Sequence, residues 1–372
     1  MRPSPLRHLV LPVCIAAAAV LTASPATAHV PHQAIAQQSP ALAPAGVAST
    51  LDTLARQVAA SLTDPSARRA LVSAVRSGPV DLSTLRAGTA LTGRVDTADR
   101  AVRAAKGLPA SVGSLVRARL AADGMSAALA AGAVPLVAAA PGDDEAAAIV
   151  AYEPDGRRVL LDPARVPTRP VIVVEVDVAK ALPAGLDILR QALAQRGVSP
   201  VSAPAALANG GYWATKVNAV RLSDDQEPWI KGAAEVYSIV SGFGLDGHPK
   251  VDVVQMPYLD HDGTTYYPNQ LLVHFSAYKY NLADVVMMED DGDTNYQQLA
   301  QAIAAVLLTI ADVGAYIPLV DAILSAIPTS WWTDDPDFVD AWYTLSTASS
   351  GRLNGAGAHG WLEVSPYWVA PL

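Results

Sequence analysis

The sequence predicts an α+β protein: an N-terminal helical and small α+β region, then an antiparallel β-sandwich with an inserted helical hairpin. Three observations predict it. Apolar residues recur at helical spacing from Leu51 onward. After Gly132 the period changes to short β-like runs broken by Pro and Gly. The second half holds seven runs of four to eleven residues, β-branched and aromatic, with one helical stretch among them.

The first segment reads as an export signal. Arg2 and Arg7 form a basic start, Leu9 to Leu21 an apolar stretch, and Ala26, Thr27 and Ala28 a small-x-small cleavage site. Cleavage is expected after Ala28, which places the mature protein outside the cell. The apolar stretch is about 13 residues, short of the roughly 20 that a spanning helix needs. Cys14, the one cysteine, lies in the removed segment, so the mature chain is expected to fold without a disulfide. Without Arg2 and Arg7 the 26 basic residues become 24 against 35 acidic ones, a net charge of −11. That balance disfavours nucleic acid and anionic lipid as main partners and favours cations or basic surfaces.

Residues 29–48, rich in Pro, Gln and Ala, are expected to be a disordered leader. Leu51, Leu54, Ala55, Val58 and Leu62 mark a first helix, and Asp64 and Pro65 start a second that stops at Gly78. A third helix is expected over residues 111–131. Strands are expected at Val134–Ala138, Ala148–Tyr152, Arg158–Leu161 and Val171–Val176, followed by a helix over residues 183–196. The Pro-, Ala- and Gly-rich stretch at 198–211 suggests a boundary between a region at 49–205 and a sandwich domain at 206–372.

The seven runs of the second region are Tyr212–Leu222, Gly232–Val240, Val251–Met256, Gln270–Phe275, Asp284–Met288, Val339–Leu345 and Trp361–Val364. The insert covers about residues 296–327. Asp312, Pro318 and Asp321 interrupt its apolar stretch, so a soluble hairpin is expected rather than a membrane span.

Three loops concentrate carboxylates. They hold Asp224, Asp225 and Glu227; then Glu289, Asp290, Asp291 and Asp293; then Asp334, Asp335, Asp337 and Asp340. Acids this dense repel one another unless a cation or water neutralises them, and calcium takes six to eight hard oxygen ligands. Asp291, Asp293 and Asn295 stand at i, i+2, i+4, suited to turning oxygens toward one centre. An EF-hand is excluded, because Tyr296 occupies the glycine position and Ala302 the twelfth. The expected ligands are Asp224, Asp290, Asp291, Asp293 and Asp335, with Asp225, Glu227, Asp334 and Asp337 as alternates. The other reading is plain solvation, or Asp293 or Asn295 capping the helix at Tyr296.

The order of these loops, with Glu227-Pro228-Trp229 first and Asp337-Phe338-Val339 last, resembles a C2 domain, a calcium-binding β-sandwich. A helical insert of about 35 residues between the second and third loops departs from that pattern. The segments Glu227–Tyr237, Met256–Asp260 and Glu289–Leu299 resemble the DUF3103 group of secreted bacterial proteins. That resemblance implies a family and no activity.

No H-E-x-x-H, G-x-S-x-G or P-loop occurs. Gly355, Gly357 and Gly360 fit G-x-G-x-x-G, but too near the end for a dinucleotide fold, so they are expected to form a hairpin turn. All seven tryptophans fall in the second region; they read as packing, with Trp331 and Trp332 the pair placed to dock a protein or sugar. The leading expectation is a secreted, non-catalytic binding protein with a calcium-stabilised sandwich. The rival is a hydrolase using clustered carboxylates, marked by a pocket lined by Glu235, Asp252 or Glu289 with aromatic walls.

Overall fold

The structure, a computed structural model, describes residues 46–85, 89–142, 146–199, 210–223, 229–232, 235–261, 263–290, 292–327 and 338–371. The export signal, its cleavage site and most of the expected leader lie outside these residues. Val47 and Ala48, assigned from sequence to the leader, instead open the first helix.

The N-terminal half combines helices α1 (Val47–Ser61), α2 (Pro65–Ser77) and α3 (Thr89–Ala105) with one sheet. Asp64 caps α2 by accepting from the amides of Ser66 and Ala67, with Pro65 in the first turn. The sheet holds β1 (Val80–Asp81), β2 (Val116–Leu120), β3 (Leu136–Ala139), β4 (Ile149–Tyr152), β5 (Arg158–Leu161) and β6 (Val171–Val176). Its order is β1-β2-β6-β3-β4-β5, and only β3 and β6 run parallel. Helix α4 (Met125–Ala130) follows β2, and α5 (Val178–Gln195) follows β6.

Two expectations fail here. Residues 111–131 are a strand and a short helix, not one helix. Val116 to Leu120 pair with Val176 to Ile172 of β6, and that cross-strand pairing outweighs the helical spacing. Helix α5 starts at Val178, five residues before Pro183, and so carries that proline inside the helix rather than at its start.

The second half holds two four-stranded antiparallel sheets. The outer one is ordered β10 (Gln270–His274), β7 (Tyr212–Leu222), β14 (Gly360–Val369), β13 (Gly351–Asn354). The inner one is ordered β12 (Phe338–Ser346), β11 (Leu282–Glu289), β8 (Val236–Phe243), β9 (Pro249–Gln255). The insert folds as α6 (Tyr296–Leu307) and α7 (Val320–Ala326), which pack on each other. Asn295 caps α6 by accepting from the Gln298 amide.

Val217, Leu272 and Leu362 of the outer sheet meet Val240, Val285 and Trp342 of the inner sheet in one core. The opposite face of the inner sheet, with Tyr237, Ile239, Val286 and Met288, joins α1 to α3 and α5 to α7 in a larger core. That core runs across the expected 205/206 boundary. The chain is therefore a mixed α+β protein. The loops behind the C2 resemblance extend beyond the described residues, and the strand layout does not confirm it.

The glycine-rich segment is a hairpin turn between β13 and β14. It wraps the buried Asp340, whose carboxylate accepts from the amides of Gly357 (2.7 Å), His359 (3.0 Å) and Gly360 (2.9 Å). A Cβ at Gly355 would collide with that carboxylate, which is why a glycine stands there.

Candidate functional site

A cleft opens at the carboxyl ends of β3 and β6, the place where parallel strands commonly present ligand sites. Its walls come from the start of α1 (Val47, Leu51), the turn after β3 (Ala140 to Gly142), the end of β6 and the β11–α6 loop. Its volume is about 60 Å³, room for a few water molecules. Its lining mixes apolar residues with the charged side chains Arg117, Glu175, Lys231, Glu235, Glu289, Asp290 and Asp293.

Two of these acids are neutralised by built ion pairs. Glu175 interrupts the apolar run of β6 and lies opposite Arg117 of β2. Arg117 Nε donates to Glu175 Oε1 at 2.7 Å, and Arg119 Nε donates to Oε2 at 2.8 Å. Arg117 also holds Asp177 at 3.0 Å, and Arg119 donates to the Ile230 carbonyl at 2.7 Å, tying the sheet to the second half.

Asp290 forms the second pair. Lys106 Nζ approaches its two oxygens at 3.0 and 3.1 Å, and both side chains are fully buried. The Tyr296 hydroxyl and the Gly292 amide also donate to Asp290. The Lys106 ammonium sits 5.2 Å from the Tyr296 ring centroid, a cation–π contact. Helix α5 passes so close that a Cβ on Gly185 would enter the Tyr296 ring. Burying a charged pair is costly unless its remaining lone pairs are satisfied, and here they are.

Glu235 differs. Among the described residues its carboxylate has no hydrogen-bond or ion-pair partner. Burial is the main cause that pushes its pKa up to about 7, opposed by Arg117 and reinforced by the negative charges of Asp290, Asp177 and Asp260. Its backbone carbonyl accepts from the Asp290 amide at 3.1 Å, so the two acids are held side by side.

Of the residues expected to bind calcium, the structure places Asp290 and Asp293 at this cleft. Asp224, Asp225, Glu227, Asp291, Asp334, Asp335 and Asp337 lie outside the described residues, as do Trp331 and Trp332. Among the described residues no group of three or more His, Cys, Asp or Glu side chains is arranged to hold a metal ion. No helix among them is long and apolar enough to cross a membrane. Glu235 and Glu289 do line the cavity, whereas Asp252 and aromatic walls are absent from its lining.

The cations of the cleft escaped the sequence reading. Their signal was present: a lone acid at Glu175 inside a wholly buried strand demands a partner. Arg117 and Arg119, two apart on one strand, are spaced to supply it.

No curated protein and no solved structure matches the chain. Residues 49–372 match the family described as a protein of unknown function, DUF3103, and the chain belongs to that family.

Proposed function

We propose that this is an exported, non-catalytic binding protein whose cleft takes a small cationic group against Glu235. The supporting observation is the contrast in charge compensation. Glu175 has two arginines and Asp290 has Lys106, while the Glu235 carboxylate has no partner among the described residues. A bound cation would supply that partner, and its binding would weaken as Glu235 takes up a proton below about pH 7. Calcium remains the stabilising ion proposed for the acidic loops. Because Lys106 already neutralises Asp290, that role falls on Asp224, Asp291, Asp293 and Asp335. A second reading rests on the same residue: a carboxyl poised near 7 suits a general acid or base, as a hydrolase needs.

The test is the melting temperature with butane-1,4-diamine or calcium chloride, each at millimolar concentration, in the wild type and in Glu235→Gln. A native-state ligand raises the midpoint by mass action. The diamine should raise it at pH 8, less at pH 6, and not at all in the variant. An equal rise in Glu235→Gln, or none in either protein, contradicts the cleft reading. A calcium effect that EDTA removes and the variant keeps belongs to the loops.

A further inference from the structure

The outward face of the sheet β10-β7-β14-β13 sets cations beside aromatic rings. On β14 burial alternates: Leu362 and Val364 face the core, whereas Trp361, Glu363 and Ser365 face away. The register sets Arg221 opposite Trp361, Arg352 opposite Glu363 and Lys216 opposite Ser365. Arg352 lies over the Trp361 ring at 4.1 Å, and Lys216 Nζ is 5.7 Å from the Tyr367 ring. Arg221, Arg352, Glu363 and Tyr367 are exposed. Among the described residues of these strands, the face therefore carries three cations and one acid in a chain whose net charge is −9.

We propose that this face binds an acidic polysaccharide, a chain of uronate-type sugars. Its charge is complementary to carboxylates, and guanidinium forks recognise them with two parallel hydrogen bonds. Arg352 is already positioned by the Trp361 ring, so little side-chain freedom is lost on contact. The six-residue step from Trp361 to Tyr367 spans roughly 20 Å along the strand, enough for several sugars in an extended chain. The aromatic rings offer apolar faces beside the charges. Nucleic acid fits less well: a duplex carries one charge per about 1.7 Å, and three cations on an acidic protein oppose that density poorly.

The experiment is affinity electrophoresis of the mature chain through gels containing polygalacturonate, dextran or a thymidine oligonucleotide. Polygalacturonate should retard the protein, and dextran should not. Arg221→Gln/Arg352→Gln should weaken retention about tenfold, the scale of two exposed charge contacts, with its unfolding midpoint unchanged. Lys216→Gln should weaken it less, and Glu235→Gln should leave it intact, which separates this face from the cleft. Stronger retention by the oligonucleotide, equal retention by dextran, no retention at all, or wild-type retention in the folded double variant would overturn the proposal.

Discussion

The two four-stranded sheets share an antiparallel architecture but differ in what covers them. The inner sheet is buried on both faces: β8 at every position, and β11 at every position but Leu282. The outer sheet has one covered face, and its β14 alternates. An antiparallel sheet read from sequence is usually of the second kind. The difference teaches that polar groups mean different things in the two layers. In the inner layer a buried charge must find an internal partner. Asp284, fully buried on β11, does so by accepting from the amides of Leu319 (2.6 Å) and Thr344 (2.7 Å) and the Tyr316 hydroxyl (2.8 Å), which anchors the insert to the sheet. In the outer layer a charge stays in water and is free to meet a partner.

Two lysine substitutions sharpen that contrast. Lys106→Ala leaves Asp290 as an uncompensated buried charge directly after β11, and should cost about 3–5 kcal/mol in urea unfolding. A loss under about 1 kcal/mol would mean that water or another cation reaches Asp290. Lys216→Ala, on the outward face of β7, should shift stability by no more than about 0.5 kcal/mol. A large loss there would show that the outer face is covered in the folded protein.

The same contrast decides what the sequence made legible. The first part of strand β14, Trp361–Val364, and the hairpin turn at Gly355 to Gly360 were readable, as were the Asp64–Pro65 helix start and the helical insert, because each carries a local signal; the strand itself runs on to Val369. Strand β2 was misread as helix, since Val112, Leu115 and Val116 keep a helical spacing until the partner strand β6 is known. Helix α3 was passed over: its buried residues Leu91, Val95, Ala98 and Val102 are diluted by Thr, Gly, Asp and Arg. The acidic loop at Asp290 was singled out, but its counter-ion is 184 residues away. Spacing along the chain cannot reveal a pairing of that kind. The cleft likewise gathers Val47, Arg117, Glu175 and Glu289 from four distant segments.

The central claim is that Glu235 is a half-buried acid in the cleft with no hydrogen-bond or ion-pair partner among the described residues. A carboxyl whose folded pKa, about 7, lies above its ordinary 4.5 makes the folded state bind the extra proton. Stability from this group is therefore full below about pH 4.5 and is lost as pH rises through about 7. The measurement is the unfolding free energy of wild type and Glu235→Gln at intervals from about pH 5 to pH 8. Relative to the variant, the wild type should lose on the order of 1–2 kcal/mol across that range, after discounting for solvent at the open mouth. Parallel curves for the two proteins would contradict the account.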